Sequence, residues 1–167
     1  NLNFPAPFGY CAVGTVSELG QGVESAWNGR MVFAFQPHTS ACIAPLEALV
    51  AVPEDIPAED AVFLANLETA VNLVQDAAPL LGERVLVLGQ GTVGLLTTAL
   101  LHEFPLARLV TADLHPVRRD ASKQLGASAV LDPADPDFAA IGRSLCDGAG
   151  FDAVIELTGN PQALDAA

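Results

Sequence analysis

The sequence predicts an α/β protein in which a partial, doubly wound parallel sheet occupies the second part of the chain and a smaller β-rich segment precedes it. Three observations carry this. From residue 85 onward, short continuous apolar runs alternate with helical stretches, and strands buried on both faces read as such runs. Residues 8–50 instead hold short β-rich runs separated by glycine and proline. A glycine-rich turn joins the first apolar run of the second part to the helix after it.

The β-rich part opens with Tyr10-Cys11-Ala12-Val13-Gly14-Thr15-Val16. Asn28-Gly29, a strong turn signal, leads into Arg30-Met31-Val32-Phe33-Ala34-Phe35. Pro37-His38 precedes a further short run, Ala41-Cys42-Ile43-Ala44. Leu49-Val50-Ala51-Val52 reads as an edge strand because Pro53, which cannot donate to a ladder, ends it. Pro57-Ala58-Glu59-Asp60 places a proline and two acids in a first helical turn, where the helix dipole favours them. Leu67, Ala70, Val71 and Val74 recur at helical spacing, so a second helix is predicted over 67–77, ended by Pro79 and Gly82. No Gly/Ser linker separates the halves, so packed domains with a cleft are expected.

The second part alternates strand and helix. Strands are predicted at Val85-Leu86-Val87-Leu88, Leu109-Val110-Thr111-Ala112, Ala129-Val130-Leu131 and 152–157. Helices are predicted over 92–103, 116–125 (closed by Gly126) and 138–146, with another opening at Thr158-Gly159-Asn160-Pro161. This βα alternation calls for a parallel sheet covered on both faces.

Charge narrows the partners. Seven basic residues against twenty acidic ones leave a net charge of −13, and Lys123 is the only lysine. Nucleic acid and anionic membranes both require clustered Lys and Arg, so neither is an expected partner. The excess acid fits a need for solubility or a high-salt host. No apolar run reaches the ~20 residues of a membrane span, and no leader pattern opens the chain. Cys11, Cys42 and Cys146 are few, widely spaced and odd in number, so a disulfide framework is not expected. They read as small core residues, and a cytoplasmic location is expected. The chain begins at Asn1 rather than Met and stops at Ala167 inside a predicted helix, so it reads as part of something longer.

Gly89-Gln90-Gly91-Thr92-Val93-Gly94 is G-x-G-x-x-G placed directly after a strand and opening a helix. Gly89 permits the tight turn, Gly91 lets the backbone approach a pyrophosphate, and Gly94 lets helix and strand pack closely. The free N–H groups of the helix start, at Thr92 and Val93, then face the anion. Asp113 ends the next strand 19 residues after Gly94, close to the ~20 expected of a carboxylate that binds a ribose diol. Such an acid favours NAD over NADP. Arg118 and Arg119 nearby oppose that preference, since an arginine can take a 2′-phosphate. Two other readings share these residues. The glycines could simply close a βα turn with Asp113 capping the following helix, or the domain could be a methyltransferase, which also uses a glycine-rich first turn.

Together these motifs resemble the medium-chain dehydrogenase/reductase superfamily of zinc-type alcohol and polyol dehydrogenases and their zinc-less relatives. The likeness runs through Gly9-Tyr10, Gly14-Thr15-Val16, Asn28-Gly29-Arg30-Met31-Val32, Pro53-Glu54-Asp55 and 81–94. It continues through Asp113-Leu114-His115-Pro116-Val117-Arg118, Leu125-Gly126-Ala127 and Glu156-Leu157-Thr158-Gly159-Asn160-Pro161. The resemblance implies the later part of a GroES-like catalytic domain over 1–66 and a partial NAD(P)-binding Rossmann domain over 67–167. It also implies hydride transfer between a nicotinamide cofactor and an alcohol, aldehyde or ketone, and a homodimer or homotetramer at full length. Thr158 and Gly159 would lie on the nicotinamide side, as would Thr69, otherwise an ordinary helix-face threonine. A non-catalytic member that only binds or senses a dinucleotide is the competing reading.

Zinc is tested by position. A family ligand lies 24 residues before the first glycine; here that position is Ala65, which cannot ligate, and Glu68 is almost a helical turn away. The structural zinc lobe needs four closely spaced cysteines, and the segment after Val32 holds only Cys42. No zinc is therefore expected, and another group must serve the carbonyl oxygen. His38 is the first candidate general acid, against the plainer reading of a surface-loop histidine. Tyr10 is the second candidate. His102 and His115 read as structural or solvated.

Overall fold

A computed structural model describes residues 8–165, and the chain divides into two compact units, Asn1–Ala65 and Asn66–Ala167. The predicted helix at the chain end is described as far as Asp165; residues 166–167 lie outside the described part.

In the first unit, β1 (Ala12–Thr15), β2 (Met31–Ala34) and β3 (Leu49–Ala51) form an antiparallel sheet in that order. Thr15 faces Met31, and Ala34 faces Leu49. Gly29, at φ 75°, donates to the Val16 carbonyl at 2.8 Å and closes the long β1–β2 connection. A 3₁₀ turn, Ser25–Trp27, precedes it, with the Arg30 guanidinium 5.3 Å from the Trp27 ring centre. A second 3₁₀ turn, Leu46–Ala48, leads into β3, which is an edge strand. Phe33, Cys11 and Ala65 make the core, with Val13 and Val52 packed against them. The buried Cys11 thiol donates to the Val62 carbonyl at 3.7 Å. α1 (Ala58–Ala61) starts after Pro57, and α2 spans Leu64–Ala77, three residues earlier than its apolar spacing marks.

Two expectations fail here. The run Ala41–Ala44 is not a strand: Ile43 is fully exposed and no described strand pairs with it. An apolar run without a partner for its N–H groups gains nothing from extension. Cys42 accordingly lies exposed, unlike Cys11 and Cys146, and is not a core residue.

The second unit is a parallel sheet. β4 (Arg84–Leu88), β5 (Arg108–Ala112), β6 (Ala129–Leu131) and β7 (Ala153–Glu156) lie in the order β6-β5-β4-β7. α3 (Thr92–His102), α4 (Pro116–Gln124), α5 (Phe138–Leu145) and α6 (Pro161–Asp165) follow the strands in turn. The unbroken apolar run of β4 is explained by burial on both sides. Val85 and Val87 join Val74, Leu101, Leu109 and Ile155 on one face. Leu86 and Leu88 join Val110, Ala112 and Leu131 on the other, where Phe138 and Ile141 of α5 pack. Full burial of each such side chain stabilises by roughly 1.5–3 kcal/mol.

Arg84 clamps the amino ends of β4 and β7 together. Its Nε and Nη2 donate to the two carboxylate oxygens of Asp152 at 2.9 and 3.0 Å, and its Nη1 donates to the Cys146 carbonyl at 3.2 Å. These hydrogen bonds raise the Arg84 pKa and lower that of Asp152. Burial pushes the Cys146 thiol up.

Gly126 ends α4 at φ 106°, and a Cβ there would fall on the His102 ring. His102 thus has a structural place. Gly126→Ala combines left-handed strain with a clash and should cost about 2 kcal/mol in urea unfolding. An unchanged midpoint would show that His102 simply moves aside.

Candidate functional site

The chain pairs β4, β5 and β6 moving one way across the sheet, then returns past β4 to lay β7 on its other side. The connections leaving β4 and β7 therefore diverge at their carboxyl ends, and ligands of open α/β sheets bind at such a switch point. Gly89 and the turn Leu157–Thr158–Gly159 lie there, since Leu88 is in register with Glu156.

The glycine turn is locked from several sides. Gly89, at φ 88°, donates to the Ala112 carbonyl at 2.8 Å. A Cβ on Gly89 would come within 2.9 Å of the Leu157 carbonyl carbon and the Thr158 nitrogen. A Cβ on Gly94 would fall on the Gly89 carbonyl oxygen. Gly91 differs: it caps α3 in ordinary extended geometry, and a Cβ there would meet nothing within 4 Å. The space over Gly91 is open, next to the unpaired N–H groups of the first turn at Thr92, Val93 and Gly94. Such a helix start could hold an anion.

Asp113 is buried, with 6% of its surface exposed. Its Oδ2 accepts the Gln90 N–H and its Oδ1 accepts the His115 N–H, both at 2.8 Å. Burial pushes its pKa up; the His115 and Gln90 N–H groups and the Arg118 charge overcome this, and the net shift is downward. Arg118 Nη1 stands 3.7 Å from Oδ2, half exposed. Arg119 turns inward instead. It donates to the Asp113 and Leu114 carbonyls at 2.7 and 3.0 Å and pairs with Asp132 at 3.0 Å. Of the two arginines, Arg118 is the one facing the carboxylate.

The sequence reading missed Gln90. It is fully buried. Its Oε1 accepts the Thr98 hydroxyl at 2.9 Å, and its Nε2 donates to the Gly89 and Val87 carbonyls at 3.2 and 3.4 Å. The available signal was a large polar residue between two glycines at the end of an apolar strand, which must find partners when buried.

The structure thus brings together Gly89, Gly91, Thr92, Val93, Gly94, Asp113, Arg118, Thr158 and Gly159 along the carboxyl edge of one sheet. Thr69 stands on an exposed side of α2. His38 belongs to the first unit and is exposed. Its N–H donates to the Phe8 carbonyl at 2.7 Å, its ring meets Phe8 edge-on at 5.5 Å, and it covers Gly9. Tyr10, the second candidate, is also exposed. Ala65 is buried against Cys11 and Phe33. Among the described residues no three of His, Cys, Asp and Glu converge on a metal position, so these residues do not fit a zinc ion. No described helix is long and apolar enough to cross a membrane.

Fold and crevice together define a Rossmann-type dinucleotide-binding class. The chain belongs to the medium-chain dehydrogenase/reductase superfamily. A profile of the zinc-binding dehydrogenase family matches residues 92–167. L-threonine 3-dehydrogenase of Pyrococcus horikoshii is 31% identical over 123 residues, 74% of this chain and 35% of that protein. Mycobacterial Rv1454c, solved with NADPH, is 31% identical with a TM-score of 0.71, over 90% of this chain and 51% of that one. Galactitol-1-phosphate dehydrogenase of Escherichia coli shares the fold at a TM-score of 0.78 and 18% identity, over 98% of this chain and 56% of that one. The chain thus spans about a third of the length of the threonine dehydrogenase and about half of the solved chains.

Proposed function

We propose that the whole protein is an NAD(P)-dependent oxidoreductase of the alcohol dehydrogenase type. It moves a hydride between the nicotinamide ring and the carbon of a small alcohol, aldehyde or ketone. The observation that carries this reading is the open backbone face at Gly91, between the locked glycines Gly89 and Gly94 and beside the ionised Asp113. The cofactor supplies the hydride chemistry; the chain binds and orients it. Thr92, Val93 and Gly94 would hold the diphosphate. One lone pair on each Asp113 oxygen is engaged, which leaves two for a ribose diol. That favours NAD, while Arg118 could accept the 2′-phosphate of NADP. Thr158, Gly159 and Thr69 are assigned to the nicotinamide side. His38 is assigned as proton donor to the carbonyl oxygen, and no step is routed through zinc.

Residues 1–66 are assigned to the later part of a GroES-like catalytic domain and 67–167 to the cofactor domain. A relative named for threonine supports a small hydroxyl-bearing substrate. A cytoplasmic homodimer or homotetramer without nucleic-acid or membrane partners completes the reading.

The purified protein should reduce NAD with a member of an alcohol panel, or oxidise NADH with an aldehyde or ketone. His38→Gln should lower kcat by about 10²–10⁴-fold while leaving NADH affinity unchanged. Micromolar NADH binding without turnover across the panel would instead make it a binding or sensing member. Binding of S-adenosylmethionine but not NADH would make it a methyltransferase.

A further inference from the structure

One carboxylate at the switch point has no part in the assignments above. Glu156 ends β7, paired in register with Leu88 at the end of β4. It is half-buried, and its Oε1 accepts both the N–H and the hydroxyl of Thr158. The Thr158 oxygen accepts the Asn160 N–H at 3.0 Å, and the Asn160 side-chain oxygen accepts the Gln162 N–H at 3.1 Å. Three side chains in series thus tie the end of β7 to the start of α6. Because Thr158 donates its proton to Glu156, its lone pair is left for Asn160, and the order of the relay is fixed.

This relay holds the turn against the glycine loop. Leu157 N–H donates to the Leu88 carbonyl at 2.8 Å, and the Leu157–Thr158 peptide occupies the space a Gly89 side chain would need. Among the described residues no backbone hydrogen bond beyond Leu157 fastens the turn to the sheet, and Gly159 at φ 65° is conformationally permissive. The glycine loop has separate anchors, through Gly89 to Ala112 and through Gln90 to Asp113. Loss of Glu156 would therefore release one wall of the crevice and leave the other in place.

We propose that Glu156 is a positioning residue that fixes the Thr158–Gly159 wall for the nicotinamide end of the dinucleotide. This rests on the dinucleotide reading given above. A carboxylate accepting two donors from one residue makes stronger bonds than a neutral acceptor. It acts through Thr158 and touches no reacting atom.

The test compares NADH with ADP-ribose, which lacks only the nicotinamide, in fluorescence and calorimetric titrations of the purified protein. Glu156→Ala should weaken NADH about tenfold, the value of one charge-assisted hydrogen bond, and leave ADP-ribose within about twofold. Glu156→Gln keeps a carbonyl oxygen in place and should recover most of the NADH affinity. NADH binding unchanged in Glu156→Ala would overturn the role. So would an equal loss for both ligands, which marks general disruption, or a Gln variant no better than Ala. A parent protein that binds neither ligand overturns the dinucleotide site itself and this role with it. A parent that binds both, beside an unaffected Ala variant, removes only the role of Glu156.

Discussion

Gly91→Ala should bind NADH on the order of a hundredfold more weakly than the parent while losing only about 1 kcal/mol of stability. The protein leaves the Cβ position at Gly91 empty and the backbone there is ordinary, so the methyl meets no protein atom. Its stability cost is confined to the poorer helix cap, about 1 kcal/mol. In the proposed site the methyl would instead meet the diphosphate. Losing two charge-assisted N–H contacts at ~1.5 kcal/mol each gives about 3 kcal/mol, hence the hundredfold. Gly94→Ala should do the reverse in order of cause. Its Cβ falls on the Gly89 carbonyl oxygen, so stability drops first, by about 1–3 kcal/mol, and binding follows from the displaced turn. Urea unfolding and NADH titration on both variants separate the two. Full NADH affinity in Gly91→Ala would show that no phosphate lies over that backbone.

Asp113→Ala should cost about 2–4 kcal/mol of stability and weaken NAD more than NADP. Removing the carboxylate strands the buried Gln90 N–H and frees the His115 N–H. The ribose diol loses its acceptor, while Arg118 is released to meet a 2′-phosphate. Equal losses for NAD and NADP would argue against the ribose role. The sign with pH follows from the lowered folded-state pKa. The contribution is complete above the ordinary carboxylate value of 3.8 and disappears as pH falls through the folded value below it. The stability gap between the parent and Asp113→Asn should therefore be constant near neutrality and shrink in acid. A gap that persists below the folded value would assign it to shape rather than charge.

The glycine turn and its place at the end of β4 were legible because their logic is local. A strand buried on both faces must read as an apolar run, and Val85–Leu88 does. The glycines follow within six residues, and Asp113 falls at the end of the next run. What stayed hidden depends on partners far along the chain. Nothing near Asp113 shows that it holds Gln90, 23 residues earlier. Glu156 was visible only as a letter in a family pattern, because its work is done on Thr158 in a turn whose shape depends on Gly89. The first unit was harder. Ala41–Ala44 has strand composition but no strand beside it, and Cys42 looks apolar only until its neighbours are known. α2 starts earlier than its apolar spacing because Ala65, too small to mark a hydrophobic face, is what the Cys11–Phe33 core receives.

The strand order also bears on the sequence of events in folding. β4 and β5 join at Arg84 and Arg108, a short excursion of chain. β4 and β7 are clamped by Arg84 and Asp152, 68 residues apart. Closing the longer loop costs about 1 kcal/mol more in chain entropy, and β7 follows β4, β5 and β6 in the chain. The crevice has one wall on β4 and the other on β7. Among the described strands it is therefore the last feature to be completed, and during synthesis the β4 wall stands alone until the ribosome has delivered Glu156.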